Sequence, residues 1–293
     1  METDTGGRNQ MSLGITYKND RKIYREIEKD TPYLEFELLA DTGVVRHGFS
    51  TRLGGVSSGC YDSLNLSFTR GDSEDAVREN FRRIASSIGV RCEDMVFSQQ
   101  THTTNVRAVT EADRGGGITR PLEYRDVDGL ITNVPGLCLV TFYADCVPLY
   151  FVDPVKKVIG LSHSGWRGTV GKIGKITVEQ MCTRYGCNPS DIRAAVGPSI
   201  CRDCYEVSED VIEQFRENFD RIYWKDLFYQ KPDGKYQLDL WKANEIVFTE
   251  AGILPEHMAV TNVCTRCNHS VLYSHRVMGN ERGNLAAFLE LKV

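Results

Sequence analysis

The chain has 293 residues, 41% of them hydrophobic and 26% charged, with a formal net charge of −5. This is ordinary globular composition, long enough for a sizeable core. It lacks the basic tract expected of a nucleic-acid or anionic-membrane binder. No apolar run reaches the roughly eighteen residues of a membrane span, and the opening METDTGGRNQMSLG lacks the basic-then-apolar layout of a signal peptide.

In chain order, LEFELLA (34–40) and VVRHGFS (44–50) predict two strands around a turn at Asp41–Gly43. TRLGGVSSGCYDSLNLSFTRGD (51–72) is aperiodic and rich in Gly, Ser and Asn, a length at which loops are often functional. A helix follows. Asp72 or Ser73 caps it, and Glu74 and Asp75 suit the positive end of its dipole. Val77, Phe81, Ile84 and Ile88 recur at helical spacing, and Gly89 ends it. MVFSQQTH and TNVRAV are strand pieces around His102. LCLVTFYA (137–144) and VPLYFVD (147–153) are continuous apolar strands, and KKVIGLSH (156–163) is a third after an Asp153–Pro154 turn.

A helix is predicted over 168–185, with Val170, Ile173, Ile176 and Met181 on one face. IRAAVG is a strand. Helices near 208–219 and 240–251 have caps at Ser208 and Asp239, and MAVTNV and NLAAFLEL close the chain as strands. Strands and helices mix without a regular βαβ rhythm, which points to an α+β fold with mixed sheets. There is no repeat and no Pro/Ser-rich linker. The expectation is a disordered tail over 1–12 and a single domain over 13–293. With no export signal, the ten cysteines are expected to be thiols of a cytoplasmic protein, most of them packing as small apolar residues.

His102, His163 and Cys146 each come close after an apolar strand candidate. Two imidazoles and a thiolate suit zinc with an open fourth position, and the same set suits copper. Set against this, a histidine after a strand is more often a hydrogen-bonded neutral residue, and a cysteine in an apolar run usually packs. A rival reading needs no metal: Cys146 and His163 as a nucleophilic pair, the imidazole drawing the thiol toward thiolate. CRDC and CTRC form a second candidate group, Cys201, Cys204, Cys264 and Cys267. They suit a structural zinc with four thiolates, although the gap is much longer than in a zinc ribbon. Arg52 beside Gly54 and Gly55, and Arg167 at a helix start, suit an anion such as phosphate.

HGFSTRLGGVSSGCYDSLNLSF, GD…VRENFRRI, QQTH, VDGLIT, ADCVPLYF, SHSGWRG, VGPSI…CYEV, LDLWKAN and CTRC occur in one order over roughly residues 44–292. In these blocks the chain resembles the YfiH/YlmD family, which carries both a laccase-domain polyphenol oxidase label and a purine nucleoside phosphorylase label. The resemblance implies a single α+β unit of layered mixed sheets flanked by helices, in an α/β/β/α-like sandwich. It implies a metal on His102, Cys146 and His163. It also implies phosphorolysis of adenosine, inosine and methylthioadenosine, with adenosine deamination as a second activity. Candidate catalytic residues are Cys146, Asp145, Arg52 and Arg167; candidate substrate contacts are Arg52, Asn65, Gln100 and Arg167. The expected partners are purine nucleosides and phosphate, with no nucleic acid or membrane, and the protein is expected as monomer or homodimer.

Two departures from the family pattern stand out. Ser164 replaces an alanine in His-Ala-Gly-Trp-Arg-Gly, and Asn284 stands where the tail often has arginine, with Arg282 close by. Two alternatives stay open: a Cys146-dependent hydrolase acting on peptidoglycan precursors, and a copper-dependent polyphenol oxidase. A four-copper oxidase needs many imidazoles, usually in H-x-H pairs. This chain has six histidines and no H-x-H.

Overall fold

The computed structural model describes residues 13–293, so the tail expected over 1–12 lies outside the described residues. Among these, two six-stranded sheets carry the core. The first runs β1 (Tyr24–Ile27), β2 (Tyr33–Phe36), β3 (Val45–Ser50), β15 (Leu285–Leu291), β7 (Cys138–Tyr143), β4 (Met95–Phe97). The second runs β14 (Met258–Val260), β10 (Arg193–Val196), β8 (Val147–Asp153), β9 (Val158–Ser164), β6 (Gly129–Thr132), β5 (Val106–Ala108). A three-stranded sheet runs β11 (Glu206–Val207), β13 (Tyr236–Leu238), β12 (Phe228–Gln230). Three pairings are parallel, β4 with β7, β5 with β6 and β10 with β14, and the others are antiparallel.

Side-chain alternation explains the layering. On β7, Leu139 and Tyr143 face inward with Leu285, Ala287 and Leu289 of β15, and meet Tyr150, Val152, Ile159 and Leu161 of the second sheet. The opposite faces, Cys138, Val140 and Phe288, pack under Val77, Phe81 and Ile84 of the helix Glu74–Ile88. On the far side, Leu149 and Phe151 of β8 pack under Ile173, Val178 and Met181 of the helix Ile173–Tyr185 and Phe248 of the helix Leu240–Glu250. The order of layers is helix, sheet, sheet, helix. Both faces of β7, β8 and β15 are buried, so they read as largely apolar runs, interrupted at Thr141 and Glu290, rather than alternating ones. Truncating a residue at the centre of such a layer, such as Phe81→Ala, costs about 3–5 kcal/mol.

Local signals hold where a cap fixes them. Ser73 Oγ accepts from the Ala76 N–H, and Gly89 ends the helix at φ 86°. Asp239 accepts from the Lys242 N–H. At Ser208 the hydroxyl turns to the Asp210 carboxylate instead of capping. The strand predicted over 34–40 stops at Phe36, and Glu37–Ala40 is a helical turn. The helix predicted over 168–185 is two, Trp166–Val170 and Ile173–Tyr185, broken where Lys172 takes φ 57°. Apolar spacing continues across that break, so periodicity alone does not reveal it. Among the described residues no helix is long and apolar enough to cross a membrane.

Candidate metal centre and its cleft

The chain crosses between the two large sheets twice near one place. Ala144–Cys146 links β7 to β8, and residues 98–105 link β4 to β5. Cys146 and His102 lie on these crossings, while His163 lies inside β9, opposite Pro148 of β8. The three residues therefore meet at a seam between two sheets, not at the rim of one. Their ligand atoms all lie within 4.8 Å of one another. Cys146 Sγ is 3.9 Å from His102 Nε2, and the two imidazoles stand 4.9 Å apart at 82°.

A residue to which sequence reasoning gave no role, Asp128, organises both histidines. Its buried carboxylate accepts His163 Nδ1–H at 2.8 Å and the backbone N–H of His102 at 3.0 Å. It also accepts the N–H groups of Thr101 and Thr103 and the Thr103 hydroxyl. With Nδ1 given to Asp128, His163 keeps Nε2 as its ligand atom. This is the carboxylate–histidine arrangement that orients metal ligands. His102 sits at φ 66°, a left-handed conformation costing about 1–3 kcal/mol for a non-glycine residue, and the three N–H bonds to Asp128 hold it there. The available signal was an acid directly before a short strand that is buried throughout, in VDGLIT.

The electrostatics follow from this packing. Burial alone would raise the Cys146 thiol, but the imidazoles of His163 and His102 outweigh it and bring the thiol down to about 6. Burial alone would lower His163, but Cys146 and Asp128 outweigh it and push it up to about 9. Burial likewise disfavours the charged Asp128, and its bond to His163 and the backbone N–H groups reverse this and hold it well below the usual carboxylate range. The two shifts favour a thiolate on Cys146 beside a protonated His163, and the three donor atoms could hold a metal ion in place of that proton. Gly165 closes one side. A Cβ there would lie 2.9 Å from His102 Cδ2 and 3.3 Å from Cys146 Sγ, so only glycine leaves both ligands in place.

The three ligands line a cleft of about 840 Å³, together with Phe68, Phe142, Gln100, Arg70, Arg282 and Asn284. Gln100 lines the wall with its amide engaged, donating to the Phe142 carbonyl and accepting from the Phe142 N–H. Asn65 lies outside the lining, buried, tying Ser67, Asp72 and Asn284 together. Asp145, next to the cysteine, has its carboxylate filled by Thr265, Ser274 and the Arg276 N–H. Arg52 is also outside the cleft lining; it donates to the Asp62 and His269 carbonyls and lies over Tyr273. Arg167 is exposed over Trp166, and its charge is felt together with that of Cys146 at the half-buried Tyr205 phenol. Arg282 is buried in the cleft wall, with Nη1 held by Gly283 and Asn284 and its Nε without a hydrogen-bond partner. Burial and the neighbouring Arg70 bring its guanidinium down to about 10, still charged at neutral pH.

The other histidines are dispersed. His47 accepts from the Phe36 N–H, His257 pairs with Arg193, His269 with the Arg266 carbonyl and His275 with the Gly279 carbonyl. The two C-x-x-C pairs do converge: the sulfurs of Cys201, Cys204, Cys264 and Cys267 all lie within 4.8 Å of one another.

A family model described as "Multi-copper polyphenol oxidoreductase laccase" matches residues 46–292. The chain is 38% identical over 250 residues to purine nucleoside phosphorylase YlmD of Bacillus subtilis (strain 168), covering 84% of this chain and 88% of that protein. It is 36% identical over 238 residues to adenosine deaminase RL5 of an unknown prokaryotic organism, covering 80% of this chain and 90% of that one. The crystal structure of YlmD from Geobacillus stearothermophilus matches with a TM-score of 0.86 at 33% identity, over 93% of this chain and all of that one. The chain belongs to this laccase-domain family, the family of the YfiH and YlmD proteins.

Proposed function

We propose that the protein is a zinc-dependent purine nucleoside phosphorylase acting on adenosine, inosine and S-methyl-5′-thioadenosine, with adenosine deamination as a second activity. The observation that carries this is the convergence of His102, Cys146 and His163 on one point of a cleft that also holds Arg282 and Arg70. Relatives named purine nucleoside phosphorylase and adenosine deaminase support it. The donor set fits zinc: one thiolate, two imidazoles and a cleft on the remaining side. When bound there, zinc supplies Lewis-acid polarisation at its open position.

The chain's own residues do the rest. Asp128 keeps His163 in one tautomer and holds His102 in its strained backbone. Arg282 and Arg70 bind the phosphate and lower its repulsion with the cleft. Phe68 and Phe142 offer an apolar wall for the purine. In phosphorolysis a phosphate oxygen bonds to the ribose C1′, the bond from C1′ to the base nitrogen breaks, and the base leaves with that electron pair and takes up a proton. In deamination water adds at the purine C6 and ammonia leaves.

Freshly purified protein incubated with inosine, with and without phosphate, tests the reading. Hypoxanthine and ribose 1-phosphate should form only with phosphate, and adenosine should also yield inosine. Base release that ignores phosphate would point to plain hydrolysis instead.

One observation favours a second reading. The Cys146 thiol, held at about 6 beside His102 and His163, is also what a nucleophile requires. As a hydrolase it would stay active in chelator and form a covalent adduct on Cys146. The polyphenol oxidase alternative draws on the same three residues, because the remaining four histidines lie elsewhere with partners of their own.

A further inference from the structure

CRDC and CTRC lie 63 residues apart in sequence and are brought side by side by a parallel bridge between Ser199 and Cys264. The sulfurs of Cys204 and Cys267 are 3.6 Å apart, and all four fall within 4.8 Å. A tetrahedral zinc with Zn–S bonds of about 2.3 Å sets its sulfurs about 3.8 Å apart. A disulfide needs its sulfurs at about 2.05 Å, and none of these cysteines is so paired. A cluster of several irons would spread the thiolates over a larger body. The sulfurs are also supplied with donors: Cys264 Sγ accepts the N–H groups of Cys201 at 3.3 Å and Cys267 at 3.5 Å. Cys204 Sγ accepts from the Arg266 guanidinium at 3.4 Å. Such donors satisfy metal-bound sulfur and aim its lone pairs.

We propose that Cys201, Cys204, Cys264 and Cys267 hold a second zinc ion, structural and four-coordinate, distinct from the His102–Cys146–His163 centre. Four thiols lose protons to solvent as the ion binds, and no electrons move. The consequence for the first centre is a grip on Asp145, the residue before Cys146. From one arm, the Ile200 N–H bonds the Asp145 carbonyl at 3.0 Å. From the other, the Thr265 hydroxyl bonds the Asp145 carboxylate at 2.6 Å. The structural ion ties these arms together and so fixes the crossing that carries Cys146.

The test is zinc content and ligand type in the full chain, purified under reducing conditions. Elemental analysis and native mass spectrometry should give about two zinc ions per chain. His102→Ala should keep about one, and X-ray absorption should find it among sulfur neighbours only. Cys204→Ser combined with Cys267→Ser should lose one zinc and keep the other. If that variant does not fold, the His102→Ala measurement decides alone. A His102→Ala protein with no zinc, even after zinc is added to the reduced chain, overturns the proposal. So does zinc bound there through nitrogen or oxygen, or bound iron in its place. Failure of the first centre would look different: zinc content unchanged by His102→Ala.

Discussion

His102, Cys146 and His163 offer three donors beside a cleft; Cys201, Cys204, Cys264 and Cys267 offer four, where two loops meet. Three mixed donors leave a tetrahedral ion one free position, which is the condition for chemistry. Four thiolates saturate it, which is the condition for holding chain together. The supports differ in the same sense. The first group depends on Asp128, whose carboxylate gathers three backbone N–H groups, a hydroxyl and an imidazole. The second depends on N–H groups of its own turns. A single carboxylate that sets two ligands makes the first centre both better oriented and easier to break.

The widest separation between the two groups comes from removing ligands. Cys146→Ser or His163→Ala should cut nucleoside cleavage by about 10³-fold or more, the scale on which loss of an electrostatic stabiliser is felt. Chelation should do the same, and added zinc should restore the parent but not the variants. Full activity in metal-free protein, checked by elemental analysis, would remove the metal from the account and promote the nucleophile. Asp128→Asn is the next step down. It keeps the size but gives up the charge and the matched acceptors, so zinc affinity or kcat/KM should fall by about 10–100-fold. Competition with a chromophoric chelator reads the affinity. An unchanged value would mean that His163 is oriented by its strand alone.

How much of this was legible follows from where the information lies. The three candidate ligands were nominated by the order of family blocks; Cys146 and His163 also adjoin long apolar runs, whereas His102 lies in a polar crossing five residues beyond Phe97. The seam was not readable, since nothing in LCLVTFYADCVPLYFVD says that the two strands enter different sheets. The strand predicted over 156–163 ended on His163, whereas β9 continues one residue further to Ser164 and pairs His163 with Pro148. Asp128 was hard to read because three of its five partners are backbone N–H groups, which carry no residue type, and the other two, Thr103 and His163, are 25 and 35 residues away. The arginines divide differently from their sequence signal: Arg52 and Arg167 sit beside glycines, Arg52 donates to two carbonyls outside the cleft lining, and Arg282 is the guanidinium buried in the cleft wall.

That contrast yields a smaller, directional prediction. Arg282→Gln should raise the KM for phosphate by about 10-fold, the worth of one hydrogen bond to a charged group. Arg52→Ala should raise it less and lower the thermal midpoint more, because it loses packing over Tyr273. Phosphate-dependent kinetics with a melting curve for each variant separates them, and the reverse order would return the anion to Arg52.

The smallest expected effect on either centre comes from a histidine outside both. His47 is 1% exposed, and its Nε2 accepts the Phe36 N–H at 2.9 Å. Burial above all, with the charges of Arg25 and Lys292, lowers it from 6.5 to about 3. The folded chain therefore keeps His47 neutral through a range where the unfolded chain takes up a proton. Below 6.5 the unfolded state gains that proton and the folded state does not, so stability falls as pH drops from about 6.5 toward 3. The slope from this one group approaches about 1.4 kcal/mol per pH unit and vanishes above the unfolded value. Acid would also compete with a metal at either proposed centre, so the whole-protein slope is a sum. His47→Gln isolates one part, because glutamine still offers an acceptor to Phe36 but gains no proton. Urea unfolding at about pH 7.5 and about pH 5 should show the variant losing less stability than the parent, with zinc content and neutral-pH cleavage unchanged. Equal losses would mean that His47 takes up its proton in the folded protein as readily as in the unfolded chain.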